Sequence, residues 1–179
     1  LSKRQQRHKN PRETILIVCP SLMNPYYATL IQSMEQEARL RGYMTTIFTT
    51  YWDKAAEREI LETSLEPQFA GVIFSMIPQQ PELAEEISRH VPMVAVGDRS
   101  CSLNLDTVDV NNYSAGQMLA SHLIDLGHRH VAYVSTTLNV EHSSRVKRCD
   151  GLVDEYARRC PGGTVTVYSQ DVSSHKELY

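Results

Sequence analysis

The chain has 179 residues, 41% of them hydrophobic and 22% charged, and a formal net charge of −3. That is ordinary for a soluble α/β protein and gives one large domain or two small ones, with enough chain for a real core. No apolar run approaches the ~20 residues of a membrane span, which excludes a spanning segment and a membrane partner.

The first residue is Leu1 rather than Met, so a preceding segment is expected and the lack of a signal peptide carries no weight. Residues 1–13 hold Lys3, Arg4, Arg7, Lys9 and Arg12 against Glu13, a net of +4 that leaves −7 for the remainder. They show no apolar periodicity and read as a linker. A basic leader on an acidic body suits an anionic partner further upstream, although taken by itself a solvated linker is the simpler explanation. Cys19, Cys101, Cys149 and Cys160 are scattered without metal-ligand spacing. They read as reduced structural residues of a cytoplasmic protein.

Ile15–Val18 with Cys19 is five apolar residues, too few for a helix, and reads as a strand buried on both faces. Pro20 stops it, and Asn24-Pro25 opens a helix with Tyr27, Leu30, Ile31, Met34 and Ala38 on its apolar face, ended by Gly42. Thr45 to Thr50 alternates as a second strand. Asp53 caps a helix with Ala56, Ile60, Leu61 and Leu65 inward. Residues 71–74 form a third strand, Pro81 opens a helix carrying Leu83, Ala84 and Ile87, and residues 93–96 form a fourth strand. Regular alternation implies right-handed crossovers and a parallel sheet covered on both faces.

After an irregular connector and a short strand at 107–110, the pattern restarts. Asn112 is expected to cap a helix with Ala115, Met118, Leu119, His122, Leu123 and Leu126 inward, ended by Gly127. A strand at 131–134 follows. Ser143 or Ser144 then starts a helix with Cys149, Leu152, Val153 and Tyr156 inward, before a strand at 164–168. Two α/β lobes joined near 110–112 fit better than one sheet. The second has only two principal strands, so the chain is expected to stop partway through it.

The loop Pro20 to Pro25 contains no glycine, which speaks against a dinucleotide-binding turn. A phosphate-cradling loop, a receiver-type carboxylate cluster and a G-x-S-x-G elbow are also missing. His122, His128 and His130 lie close in sequence but read as capping or surface residues rather than metal ligands. No catalytic residue, metal or cofactor is expected.

What remains are polar and aromatic groups after strand ends: Asn24, Tyr26 and Tyr27, then Asp98 and Arg99, Asn111 and Asn112, and Arg148. Ordinary helix-face tyrosines and an exposed Asp98–Arg99 ion pair are the plainer alternatives. Three segments carry a resemblance: Ile15 to Ala28, Val91 to Arg99, and Val108 to Gly116 leading into His122 to Val134. A fourth, weaker match is Arg148-Cys149-Asp150-Gly151. The chain resembles the lactose/galactose-repressor (LacI/GalR) family of bacterial transcription regulators and the related ribose-type periplasmic binding proteins, over roughly residues 14–170. The helix ending Leu126-Gly127-His128-Arg129 before a strand is the most specific part of the match.

The resemblance implies a periplasmic-binding-protein-like fold with residues 14–110 as first lobe and 111–179 as a partial second lobe. Residues 1–13 would follow a DNA-binding headpiece. It implies ligand contacts from Asn24, Tyr26 and Tyr27, from Asp98 and Arg99, and from Arg148, with His142 and Ser144 in the adjacent variable segment. Asn111 stands where the family usually has Asp. A sugar's C–H faces suit tyrosine rings, while carboxylate and guanidinium groups suit its hydroxyls. The implied partners are a small effector, a sugar by preference, a second copy of the chain, and operator DNA through an upstream helix-turn-helix. A secreted sugar-binding protein of a transporter is the rival reading; a nucleotide-dependent enzyme is a distant third.

Overall fold

The apolar run of β1 (Thr14–Cys19) forms the interior of a parallel sheet because both of its faces are covered. The computed structural model describes residues 13–97, 104–136, 138 and 143–170. Within them β1 lies between β2 (Met44–Thr49) and β3 (Phe69–Phe74), and β4 (Met93–Val96) and β5 (Asp106–Val108) extend the sheet in the order β2-β1-β3-β4-β5. Leu16, Ile17, Val18 and Cys19 have no exposed surface.

Side chains alternate with the pleat, so consecutive residues of β1 serve different layers. Leu16 and Val18 join Val72, Phe74, Met93 and Ala95 in one core. That core is closed by Ile60 and Leu61 of α2 (Lys54–Thr63) and by Ala84 and Ile87 of α3 (Pro81–Ser88). Ile17 and Cys19 pack with Ile31, Tyr27 and Met34 of α1 (Pro25–Leu40). Each face thus carries helix, as the alternation predicts. α1 covers only part of its face, leaving a groove of about 790 Å³ lined by Ile15, Leu30, Met34, Ile73 and Val94.

Residues up to Val96 together with 104–107 make one compact unit, and Gly97 with the residues from Val108 onward a second. In the second, β6 (His130–Thr136) and β7 (Thr164–Gln170) pair in parallel, His130 opposite Thr164. α4 (Asn112–Asp125) and α5 (Ser144–Arg159) cover one face through Ala120, Leu152 and Tyr156, with Cys160 just beyond α5. Among the described residues nothing covers the other face: Val134 is 77% and Tyr168 59% exposed.

Two expectations need correction. The cap of α4 is Asn111, not Asn112, which is the first helical residue. The inward face of α4 is also different. Asn112, Gly116 and Ala120 are buried, whereas Met118, Leu119 and Leu126 are 73%, 49% and 61% exposed, and Ala115 and His122 are exposed too. Of the expected set only Leu123 packs on the core. The cause is a close helix crossing. A Cβ on Gly116 would sit 2.1 Å from the Arg148 carbonyl oxygen, and one on Gly151 2.1 Å from that of Tyr113. Backbones that approach so closely leave room only for small residues, so larger ones turn outward. Two further expected inward residues are also partly exposed: Val153 of α5 is 36% and Leu65, beyond α2, is 48% exposed.

Candidate functional site

In the first unit the loops after β1, β2 and β3 are tied together by backbone hydrogen bonds. Thr50 N–H donates to Cys19 O at 2.9 Å, Tyr51 N–H to Pro20 O at 3.0 Å, and Ser75 N–H to Val18 O at 2.8 Å. The first loop enters α1 through a cap that the sequence announces. Asn24 Oδ1 accepts from Tyr26 N–H at 2.9 Å, and Pro25 follows where its missing N–H costs nothing. Tyr26 is then 60% exposed, while Tyr27 leans on the α1 core. Their rings meet edge to face, centroids 5.1 Å apart at 75°. Asn24, Tyr26 and Tyr27 are thus brought together, with Asn24 also holding the turn that presents the rings.

Three features of these loops escaped sequence reasoning. Tyr51 and Trp52 both take left-handed backbone, φ 52° and 61°, at about 1–2 kcal/mol each for a residue with a Cβ. Such strain persists only where surrounding bonds hold it, here those of Thr50, Tyr51 and the Asp53 cap of α2, which accepts from Ala55 N–H at 2.7 Å. Ser75 ends β3 with its hydroxyl buried and unpartnered among the described residues. Glu57 is fully buried, and its Oε1 accepts from Gln80 N–H at 2.9 Å, fixing the loop from β3 to α3. Glu57 lies on the Ile60–Leu61 face of α2, a spacing that could have disclosed its burial.

In the second unit Asn111 caps α4, its Oδ1 accepting from Ser114 N–H at 3.0 Å. Asn112, 3% exposed, donates through Nδ2 to Val110 O at 3.0 Å and at 3.4 Å toward Asp109 Oδ1. Its Oδ1 accepts from Arg148 Nη1. Ser144, the first residue of α5, lies one turn from Arg148 on the same helix face. Asp98, Arg99 and His142 lie outside the described residues. The first turns of α1, α4 and α5 carry no acid, unlike those of α2 and α3 with Glu57 and Glu82. Their amide dipoles thus remain available to acceptors.

Among the described residues the cysteines are not arranged for covalent chemistry. Cys19, Cys149 and Cys160 are free and buried, and burial pushes the thiols of Cys19 and Cys149 up, away from the reactive thiolate. No group of three metal-ligating side chains occurs among the described residues. His130 Nδ1 pairs with Thr164 Oγ1 at 2.9 Å, and His128 gives its carbonyl to Tyr156 O–H. One charge effect is structural. Glu155, 4% exposed, is held below its ordinary value by Arg158, with Ser121 adding a hydrogen bond. No helix among the described residues is long and apolar enough to cross a membrane.

Parallel strands flanked by helices in each of the two units are the fold of the periplasmic-binding-protein type. A family model described as "Periplasmic binding proteins and sugar binding domain of LacI family" matches residues 12–168, and the chain belongs to this family. It is 24% identical over 129 residues to the NTD biosynthesis operon regulator NtdR of Bacillus subtilis, covering 72% of this chain and 39% of NtdR. It is 29% identical over 142 residues to the sucrose operon repressor of Lactococcus lactis, covering 79% and 43%. Among solved structures it is similar to a periplasmic binding protein/LacI transcriptional regulator from Alkaliphilus metalliredigens complexed with D-xylulofuranose, with TM-score 0.73 and 24% identity over 93% of this chain and 60% of that one. It is also similar to the transcription regulator CcpA of Lactococcus lactis, with TM-score 0.72 and 20% identity over 90% and 60%. The chain spans about two fifths of the length of the curated relatives it matches. These relatives are transcription regulators.

Proposed function

We propose that this chain is the effector-sensing part of a cytoplasmic, DNA-binding transcription regulator, and that its effector is a small polar molecule of the sugar class. The observation that carries the reading is the family match across residues 12–168, joined to the placing of Tyr26 and Tyr27 at the start of α1 and of Arg148 beside the start of α4. Residues 14–110 are taken as the first lobe and 111–179 as part of the second. The effector would lie flat on a tyrosine ring, with hydroxyls bonded by Arg148, Ser144 and Asn111, and by Asp98, Arg99 and His142. Asn24 would contribute through the turn it caps. Dimerisation and operator binding belong to the intact protein, with DNA read by a helix-turn-helix before residue 1. A transporter's binding protein would share the fold but not respond to DNA.

Calorimetry on the intact protein with D-glucose, sucrose and fructose 1-phosphate tests the site. One of them should bind saturably, and Arg148→Ala should weaken it by about 1.5–3 kcal/mol, the range for a hydrogen bond to a charged group. Unchanged affinity in that variant would remove Arg148 from the site.

A further inference from the structure

Arg148 is anchored at two points, and the second of them leads away from any ligand. Its backbone rests against the Cα of Gly116, where a methyl group would collide with the Arg148 carbonyl. Its guanidinium donates to Asn112 Oδ1. Asn112 in turn donates to Val110 O at 3.0 Å. Between residues 107 and 108 the chain passes for the last time from the first compact unit to the second. One buried amide therefore links an arginine on α5, 36 residues away in sequence, to the backbone just after β5.

We propose that Asn112 is a positioning residue: it aims the Arg148 guanidinium and transmits a change in that guanidinium to the Asp109–Val110 segment. The assignment rests on the reading of Arg148 as a ligand contact. An amide is suited to both tasks, because its oxygen accepts from the guanidinium while its nitrogen donates to the backbone. With the amide 3% exposed, water does not readily replace either bond, so a guanidinium that turns toward a bound hydroxyl or anionic group must strain or release Asn112. Release frees the Val110 carbonyl at the entrance to α4. An effector contact on α5 thereby becomes a change in the Asp109–Val110 segment ahead of α4, whose equilibrium a ligand can bias.

Two substitutions separate the halves of the link. Asn112→Leu removes both, at similar volume. Asn112→Asp keeps an acceptor for Arg148, now charge-assisted, but loses the donor to Val110 and places a like charge near Asp109. On the intact protein without ligand, nitrogen NMR of the arginine side chains should show hindered Arg148 Cζ–Nη rotation in the wild type and in Asn112→Asp, and free rotation in Asn112→Leu. Amide hydrogen exchange at Ser114 and Ala115, whose N–H groups are held by Asn111 at the start of α4, should rise at least tenfold in both variants. Unchanged rotation in Asn112→Leu, or unchanged exchange in both variants, would overturn the proposal without bearing on the binding site.

Titration with D-glucose, sucrose or fructose 1-phosphate, whichever the wild type binds, completes the test. Arg148→Ala and Asn112→Leu should each lower affinity about tenfold or more, and the double variant by no more than the larger single effect. Asn112→Asp should stay within threefold of wild type. Loss of affinity in Arg148→Ala but not in Asn112→Leu would overturn the positioning role. No loss in Arg148→Ala would instead overturn the ligand role of Arg148 and the transmission step that depends on it.

Discussion

Glu57 and Glu155 are the two buried acids among the described residues, and they ask for different tests. Glu57 Oε1 takes the Gln80 N–H, while Oε2 is buried without a protein partner. Truncation strands the Gln80 amide and opens a cavity, so Glu57→Ala should cost about 2–3 kcal/mol in urea unfolding. Glu57→Gln keeps both shape and acceptor and should cost less than about 1 kcal/mol. Equal losses in the two variants would show that the carboxylate's hydrogen bond to the β3–α3 loop is unimportant. Glu155 is held below the ordinary glutamate value of 4.5 by the hydrogen bond from Arg158, which outweighs the opposing effect of burial. A depressed native value stabilises the fold above the unfolded value and ceases to do so as pH falls through the native one. Stability should therefore decline below about pH 4.5, and Glu155→Gln should flatten that decline in acid-unfolding curves. A variant with the wild-type acid profile would exclude Glu155 as a source.

At the scale of elements, the α4–α5 crossing makes the sharpest demand on sequence. Ala at 116 would place its Cβ 2.1 Å from the Arg148 carbonyl oxygen, and backbone cannot swing aside as a long side chain can. Gly116→Ala should cost at least the 1–3 kcal/mol typical of overpacking. Gly127→Ala meets nothing within 4 Å and pays only for its φ of 87°, about 1 kcal/mol. Thermal unfolding of both variants checks the order; a smaller loss at Gly116 would mean that the helices can part cheaply. The same crossing marks the limit of what sequence discloses. Signals confined to one element were legible: the apolar run of β1, the bounds of β4 at Met93–Val96, the Asn24-Pro25 start of α1, the Asp53 cap, and the start of α5 to within Ser143 or Ser144. The buried side of α4 was not, because Leu and Met at helical spacing suggest an inward stripe. Only the backbone of Arg148, on another helix, makes Gly116 the contact point. The Asn112–Arg148 bond was hidden for the same reason, and so was the strain at Tyr51 and Trp52, neither of which advertises left-handed backbone.

For the whole molecule, the proposed function is that of a sensor whose output is DNA affinity. Sugar binding alone would not distinguish such a regulator from a transporter's binding protein, since both would share the fold. The decisive experiment is to select genomic fragments with the intact protein and measure its affinity for the best of them with and without the sugar it binds. The account predicts sequence-selective, steeply salt-dependent binding that shifts at least tenfold on saturation with sugar, the coupling of ~1–3 kcal/mol usual for linked sites. Tight sugar binding without selective DNA binding, or with DNA affinity indifferent to sugar, would contradict it.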